Sequence, residues 1–214
     1  MGNPLLRRLL RVWRGYTRKK KARTGLAVTC LALLAVVMVY KQVMPTAIDP
    51  TAYTPLLNTI ARGESHGNYN AYFGSVDNTT VQFTEMPVAA VLQWQEDYVR
   101  GGSPSSAVGK YQIVRPTLAG LVQQLGIDPG MPFDEALQDR MAIALLERRG
   151  MLAYMQKQLT REQFAANLAK EWAALPRVIG DSPTESYYAH DGLNASQIGI
   201  DEVFKALATL EAHR

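Results

Sequence analysis

Apolar residues recur at helical spacing through most of the chain beyond residue 54. Leu56, Leu57, Ile60 and Ala61 share one face of a segment opening at Thr54-Pro55, where proline suits the first turn. Pro87 opens a second helix with Val88, Val91, Leu92 and Val99 on one side. Pro116 opens a third with Leu118, Leu121, Val122 and Leu125, closed by Gly126. Asp134 stands as the N-cap before Leu137, Met141, Ala144 and Leu145, and Gly150 stops that helix. Thr160 and Gln163 have the spacing of a capping box ahead of Phe164, Leu168 and Trp172, with Pro176 as the stop. A last helix carries Ile200, Val203, Phe204, Leu207 and Leu210. Between the first two helices, residues 72–76 and 79–83 flank Asp77-Asn78, which predicts a small β-hairpin. The expected fold class is α+β, mostly α.

Upstream the pattern changes. Residues 24–40, TGLAVTCLALLAVVMVY, are seventeen positions without a charge and apolar all round, which predicts a transmembrane helix over 24–43. Nine Lys or Arg lie between Arg7 and Arg23, and no acidic residue precedes Asp49. The positive-inside rule keeps 1–23 as a basic cytoplasmic tail. It sends the rest across the cytoplasmic (inner) membrane, with 44–53 as a stiff linker and 54–214 as a periplasmic domain. Trp13 and Tyr16 suit the headgroup level. The lipid bilayer is thus an expected partner through 24–43. A cleaved signal peptide is the alternative, although its small-residue exit near Pro45-Thr46-Ala47 would set a proline at −3.

The charge reinforces this division. Beyond Lys41 the chain carries 13 basic and 19 acidic residues, so the net +4 belongs to the tail and the body is mildly acidic, which argues against a nucleic-acid partner. The single cysteine, Cys30, lies in the apolar run, so the exported part is held by packing without disulfides.

Within ARGESHGNYNAYFG, residues 61–74, Glu64 continues the apolar face of the first helix. A carboxyl held against apolar surface resists ionisation and can donate a proton near neutrality, as cleavage of a glycosidic bond requires. Taken alone, a glutamate at such an edge more often ends a helix in water. A second feature is SSAVGKYQIVRPTL, residues 105–118, a small-residue loop that delivers Lys110, Tyr111 and Gln112 before a proline-started helix. It mixes backbone amides, an aromatic face and an amide side chain, which suits a carbohydrate groove. Asp77 at the hairpin tip is the candidate second carboxylate, with Glu85 beyond it, though Asp77-Asn78 also reads as simple turn chemistry. Tyr69, Tyr72, Tyr187 and Tyr188 offer aromatic faces to sugar rings, whereas Trp172 belongs with the core. His66, His190 and His213 lack metal spacing, and neither a metal nor a cofactor is expected. Ser65 has no adjacent base to make it a nucleophile.

Gly63-Glu64-Ser65 followed by SAVGKYQIVRPT resembles the lysozyme-like lytic transglycosylases, and most nearly the phage lambda endolysin type. In that family a catalytic Glu-Ser at a helix end meets a Gly-x-x-Gln-Ile loop. The pattern Ser-x-x-Gly-basic-Tyr-Gln is matched within 105–112, from Ser106, with Lys110 in place of the usual arginine. LQDRMAIALLERRG (137–150), LAKEWAALPR (168–177) and YNAYFG (69–74) are similar to further stretches of the family, and the likeness covers about residues 54–210. The resemblance implies a muramidase-like fold acting on the MurNAc–GlcNAc strands of peptidoglycan. Glu64 would be the general acid and then base, with Ser65, Tyr69, Ser106, Lys110, Tyr111, Gln112 and Tyr188 on the substrate side. In the transglycosylase variant the sugar's own 6-hydroxyl attacks, and no second carboxylate is needed. A hydrolytic muramidase and an inactive glycan-binding or scaffolding module remain as alternatives. Such a tethered enzyme would open the wall for a secretion, conjugation or phage envelope complex, the last including a virion-associated form.

Overall fold

The computed structural model describes residues 50–213. The expected tail, membrane helix and most of the linker lie outside the described residues, and no helix among those described is long and apolar enough to cross a membrane. Asp49–Arg214 forms a unit of its own.

Among the described residues seven α-helices follow in order: α1 (Thr54–Ser65), α2 (Val88–Arg100), α3 (Arg115–Leu125), α4 (Glu135–Arg148), α5 (Met151–Met155), α6 (Arg161–Ala169) and α7 (Ile200–Glu211). A 3-10 turn at Pro50–Tyr53 leads into α1, and its Ala52 and Tyr53 are buried, so the fold already includes the end of the expected linker.

The capping chemistry sets these boundaries. Asp134 accepts the Leu137 amide at 2.8 Å at the start of α4. Thr160 and Gln163 form the full capping box of α6. Gly126, at φ 59°, closes α3 as a left-handed cap. Helix α6 ends at Ala169, seven residues before Pro176, so Trp172 sits in the following turn. On α2 the buried residues are Val88, Val91 and Gln95, while Val99 is exposed. The Gln95 amide explains the shift, because it donates to the Ser106 and Ile113 carbonyls at 2.7 and 2.8 Å and draws that face onto the 106–113 loop.

The expected hairpin is absent. Among the described residues there are only isolated bridges, including Tyr72 with Ser75 and Tyr72 with Val108, so the domain is mostly helical without a sheet. Asparagine side chains take the place of a partner strand. Buried Asn78 donates to the Asn70 and Val81 carbonyls and accepts from the Thr80 and Val81 amides, while Asn68 donates to the Val76 and Asn78 carbonyls. These bonds satisfy the backbone locally and fold the segment into a loop.

The core gathers Leu56 and Ile60 of α1, Leu118 and Leu121 of α3, Met141 and Leu145 of α4, Phe164 and Leu168 of α6, and Val203, Leu207 and Leu210 of α7. Helix α1 packs mainly against α7, and Arg62 pairs with Glu202 across that contact. The acid-bearing end of α1 is thereby fixed at the surface of the core.

Candidate active site

Glu64 occupies the last turn of α1, on the wall of an open cleft of about 870 Å³. The turn 172–174 forms the facing wall, close enough for the Ala174 amide to donate to Glu64 Oε1 at 2.9 Å. Gly63 permits this approach. A methyl group there would lie 2.8 Å from both Ala174 Cβ and Ile198 Cγ1, so any larger residue would push the Ala174 amide off the carboxyl.

Part of the Glu64 surface opens to the cleft, but protein surrounds the carboxyl on its other sides. Loss of hydration there pushes its pKa up to about 7, against a smaller lowering by the Ala174 amide. The residue therefore holds a proton for much of the time at neutral pH, with the cleft as the way out for it.

The loop at 105–114 forms the second wall. Gly109, at φ 79°, turns the chain, and Gln112 follows at φ 48°, a left-handed conformation uncommon for a residue with a side chain. The Gln112 backbone and side-chain amides both donate to the Gly109 carbonyl, at 3.1 and 3.0 Å, which holds the side chain at the cleft edge. Ser105 and Ala107 line the cleft beside it.

Several expected substrate residues lie behind this wall instead. Ser65 is fully buried, and its hydroxyl donates to the Lys110 carbonyl at 2.7 Å, with the Ala61 carbonyl 3.2 Å away. It fastens the acid's helix to the loop. Ser106 is buried and accepts the Arg115 amide at 2.9 Å, starting α3. Lys110 reaches away from the cleft, donating to the Tyr69 hydroxyl at 2.9 Å, with Asp139 at 3.5 Å and the Tyr69 ring centroid at 4.5 Å. Tyr111, almost wholly buried, donates to Asp139 at 2.6 Å, and the Tyr69 hydroxyl lies 3.0 Å from each Asp139 oxygen. Burial and then the Asp139 carboxylate push both phenols upward, so they stay protonated donors. This group ties the loop to α4. It does not line the cleft.

The opposite bank is residues 188–197. Tyr188 lines the cleft, its hydroxyl donating to the Lys170 carbonyl at 2.8 Å, and exposed Leu193 lines it too. Sequence reasoning missed the end wall of Arg148, Arg149 and Glu171. Both guanidinium groups bind the Glu171 carboxylate at 2.7 Å, and that carboxylate is only 7% exposed. Its signal was the Arg148-Arg149 pair at the helix end. Trp172 is packed as expected, yet it also borders the cleft.

Asp77, the candidate second carboxylate, is 85% exposed and lies 3.2 Å from His66 Nδ1, outside the cleft lining. Glu85 is exposed and likewise absent from the lining. Among the described residues the carboxylates bordering the cleft, besides Glu64, are Glu171 and Asp191. Hydrogen bonds from the Asn194 side chain, then from the Leu193 and Asn194 amides, hold Asp191 below its ordinary pKa.

A carboxyl raised to a pKa of about 7 on the wall of a polar and aromatic cleft has the character of an acid site of the glycosidase kind. The family model Endolysin matches residues 54–193, and the chain belongs to that family of peptidoglycan-cleaving enzymes. No curated protein and no solved structure matches the chain.

Proposed function

We propose that the enzyme is a peptidoglycan lytic transglycosylase. Glu64 protonates the glycosidic oxygen between MurNAc and GlcNAc as the bond to C1 breaks, and the proton leaves on the GlcNAc 4-hydroxyl. The ionised Glu64 then takes the proton of the 6-hydroxyl on the same MurNAc as that oxygen bonds to C1, which returns the acid and leaves a 1,6-anhydro end. Supporting this is the pairing of a Glu64 raised toward neutrality with cleft carboxylates that are already engaged. Glu171 is held by two arginines and Asp191 by its own turn, so a free carboxylate to serve as base for a water is missing among the described cleft residues. Mass spectrometry of digested cell wall checks it. Anhydro ends are expected, and reducing ends would make the enzyme a hydrolytic muramidase instead.

The enzyme works, in this proposal, from a tether. The charge-free run at 24–40 and the nine cations before it support a single-pass anchor in the cytoplasmic membrane, with the N-terminus inside and the catalytic domain on the wall side. The anchor confines cleavage to glycan within the linker's reach, as local opening of the wall by a secretion, conjugation or phage envelope complex requires. Fractionation reports on this. The full chain is expected in the membrane pellet at high salt, and recovery in the soluble fraction would remove the tether.

A further inference from the structure

Glu171 lies two residues past the end of α6, and its nearly buried carboxylate meets the Arg148 and Arg149 guanidinium groups at 2.7 Å each. Apolar side chains of the same volume would commonly hold a fold as well as such a cluster or better, so stability alone does not account for it. The geometry it fixes does.

Arg148 ends α4 and Arg149 follows it, and Arg149 also donates to the Lys170 carbonyl at 2.9 Å. The Glu171 and Trp172 amides return to the Leu168 carbonyl at 2.8 and 3.0 Å, and the Leu175 amide donates to the Trp172 carbonyl at 3.2 Å. Residues 170–175 therefore form one tight turn. Three residues beyond Glu171, this turn presents the Ala174 amide to Glu64. Helix α4 holds the other wall as well, through Asp139 on Tyr111. Both walls take their place from one rigid element, the arrangement that keeps a reacting group in a fixed geometry.

We propose that Glu171 is a positioning residue: clamped by Arg148 and Arg149, it sets the 171–174 turn against Glu64 and shuts water out from behind the carboxyl. The inference rests on Glu64 as the acid of the reaction proposed above and extends it to the wall that surrounds it. Its signature is in the proton equilibrium of Glu64. Burial raises that carboxyl to about 7 and the Ala174 amide lowers it by less, so a slack turn, which admits water and withdraws the amide, brings it down on balance. Apart from the clamp, the charged and titratable groups lining the cleft around Glu64 are Arg62, His66, Lys170, Tyr188 and Asp191, with Glu202 of α7 paired to Arg62. All of these stay unchanged in the test.

Glu171→Gln and Arg149→Gln separate position from charge. The first adds a positive charge to the cluster and by its field would lower the Glu64 pKa, whereas the second removes one and would raise it. A slack turn lowers it in both. The measurement is kcat/KM of the full chain on purified glycan strands as a function of pH. In both variants the descent near pH 7 should move down by about one pH unit, so cleavage falls about tenfold at pH 8 and stays within about twofold of wild type at pH 5. Should either variant lose its native melting transition, Glu171→Asp or Arg148→Gln takes its place. The aspartate keeps the charge, so any shift it shows is positional. Opposite shifts in the two charge variants, or an unshifted limb at whatever rate, overturn the proposal. Wild type that cleaves nothing, or whose limb lies near 4.5, would instead remove the reading of Glu64 itself.

Discussion

Glu64→Gln is expected to keep the domain folded while lowering glycan cleavage about a thousandfold, within the range for loss of a positioned general acid. The amide is the same size and still presents an oxygen to the Ala174 amide, so the turn at 172–174 keeps its partner. The dissociable proton is what goes. Zymogram clearing and fragment release by mass spectrometry check this, and clearing equal to wild type would take Glu64 out of the mechanism. The same variant should be more stable at neutral pH. In the native chain the folded state binds a proton, between pH 4.5 and about 7, that the unfolded state has released, so stability falls as pH rises through that window. From a shift of that size the loss by pH 7 is about 3 kcal/mol, and the glutamine form escapes it. Urea titrations of both forms at pH 5 and pH 8 measure the gap.

The second large effect is on the pH profile. Cleavage needs Glu64 protonated, so kcat/KM should hold steady just below pH 7 and fall about tenfold for each pH unit above it. An unshifted glutamate would place that descent near 4.5 and leave little activity at neutrality. A limb near 4.5 would show that hydration reaches the carboxyl and that burial does not govern it.

Much of this architecture is legible in the residues that start and stop helices. Pro55, Pro87 and Pro116, the Asp134 cap and the Thr160–Gln163 box mark their helices because each satisfies or removes an orphan amide locally. The 72–83 segment misleads for a related reason. Asp77-Asn78 between residues 72–76 and 79–83 suggests paired strands, yet Asn68 and Asn78 bond the backbone that a strand would have bonded. The place of Glu64 on an apolar stripe is readable from helical spacing, whereas its choice as the acid rests on the resemblance carried by Gly63-Glu64-Ser65 and the 106–112 loop. Direction within a loop is harder. Lys110 and Gln112 are two residues apart, but the turn at Gly109 sends one toward Asp139 and the other to the cleft. The Ala174 amide leaves no trace in residue identity, since any backbone carries one.

Ser65 has a mechanical meaning for the enzyme. Its hydroxyl joins the acid's helix to the carbonyl of a residue 45 positions away, so the proton donor and the loop that carries Gln112 are fastened to each other. Residues 188–197 border the same cleft and are tied to the acid as well, through the Gln197 amide on the Ala174 carbonyl and the Ala174 amide on Glu64, so the rim that meets an incoming polymer is pinned to the proton donor from two directions.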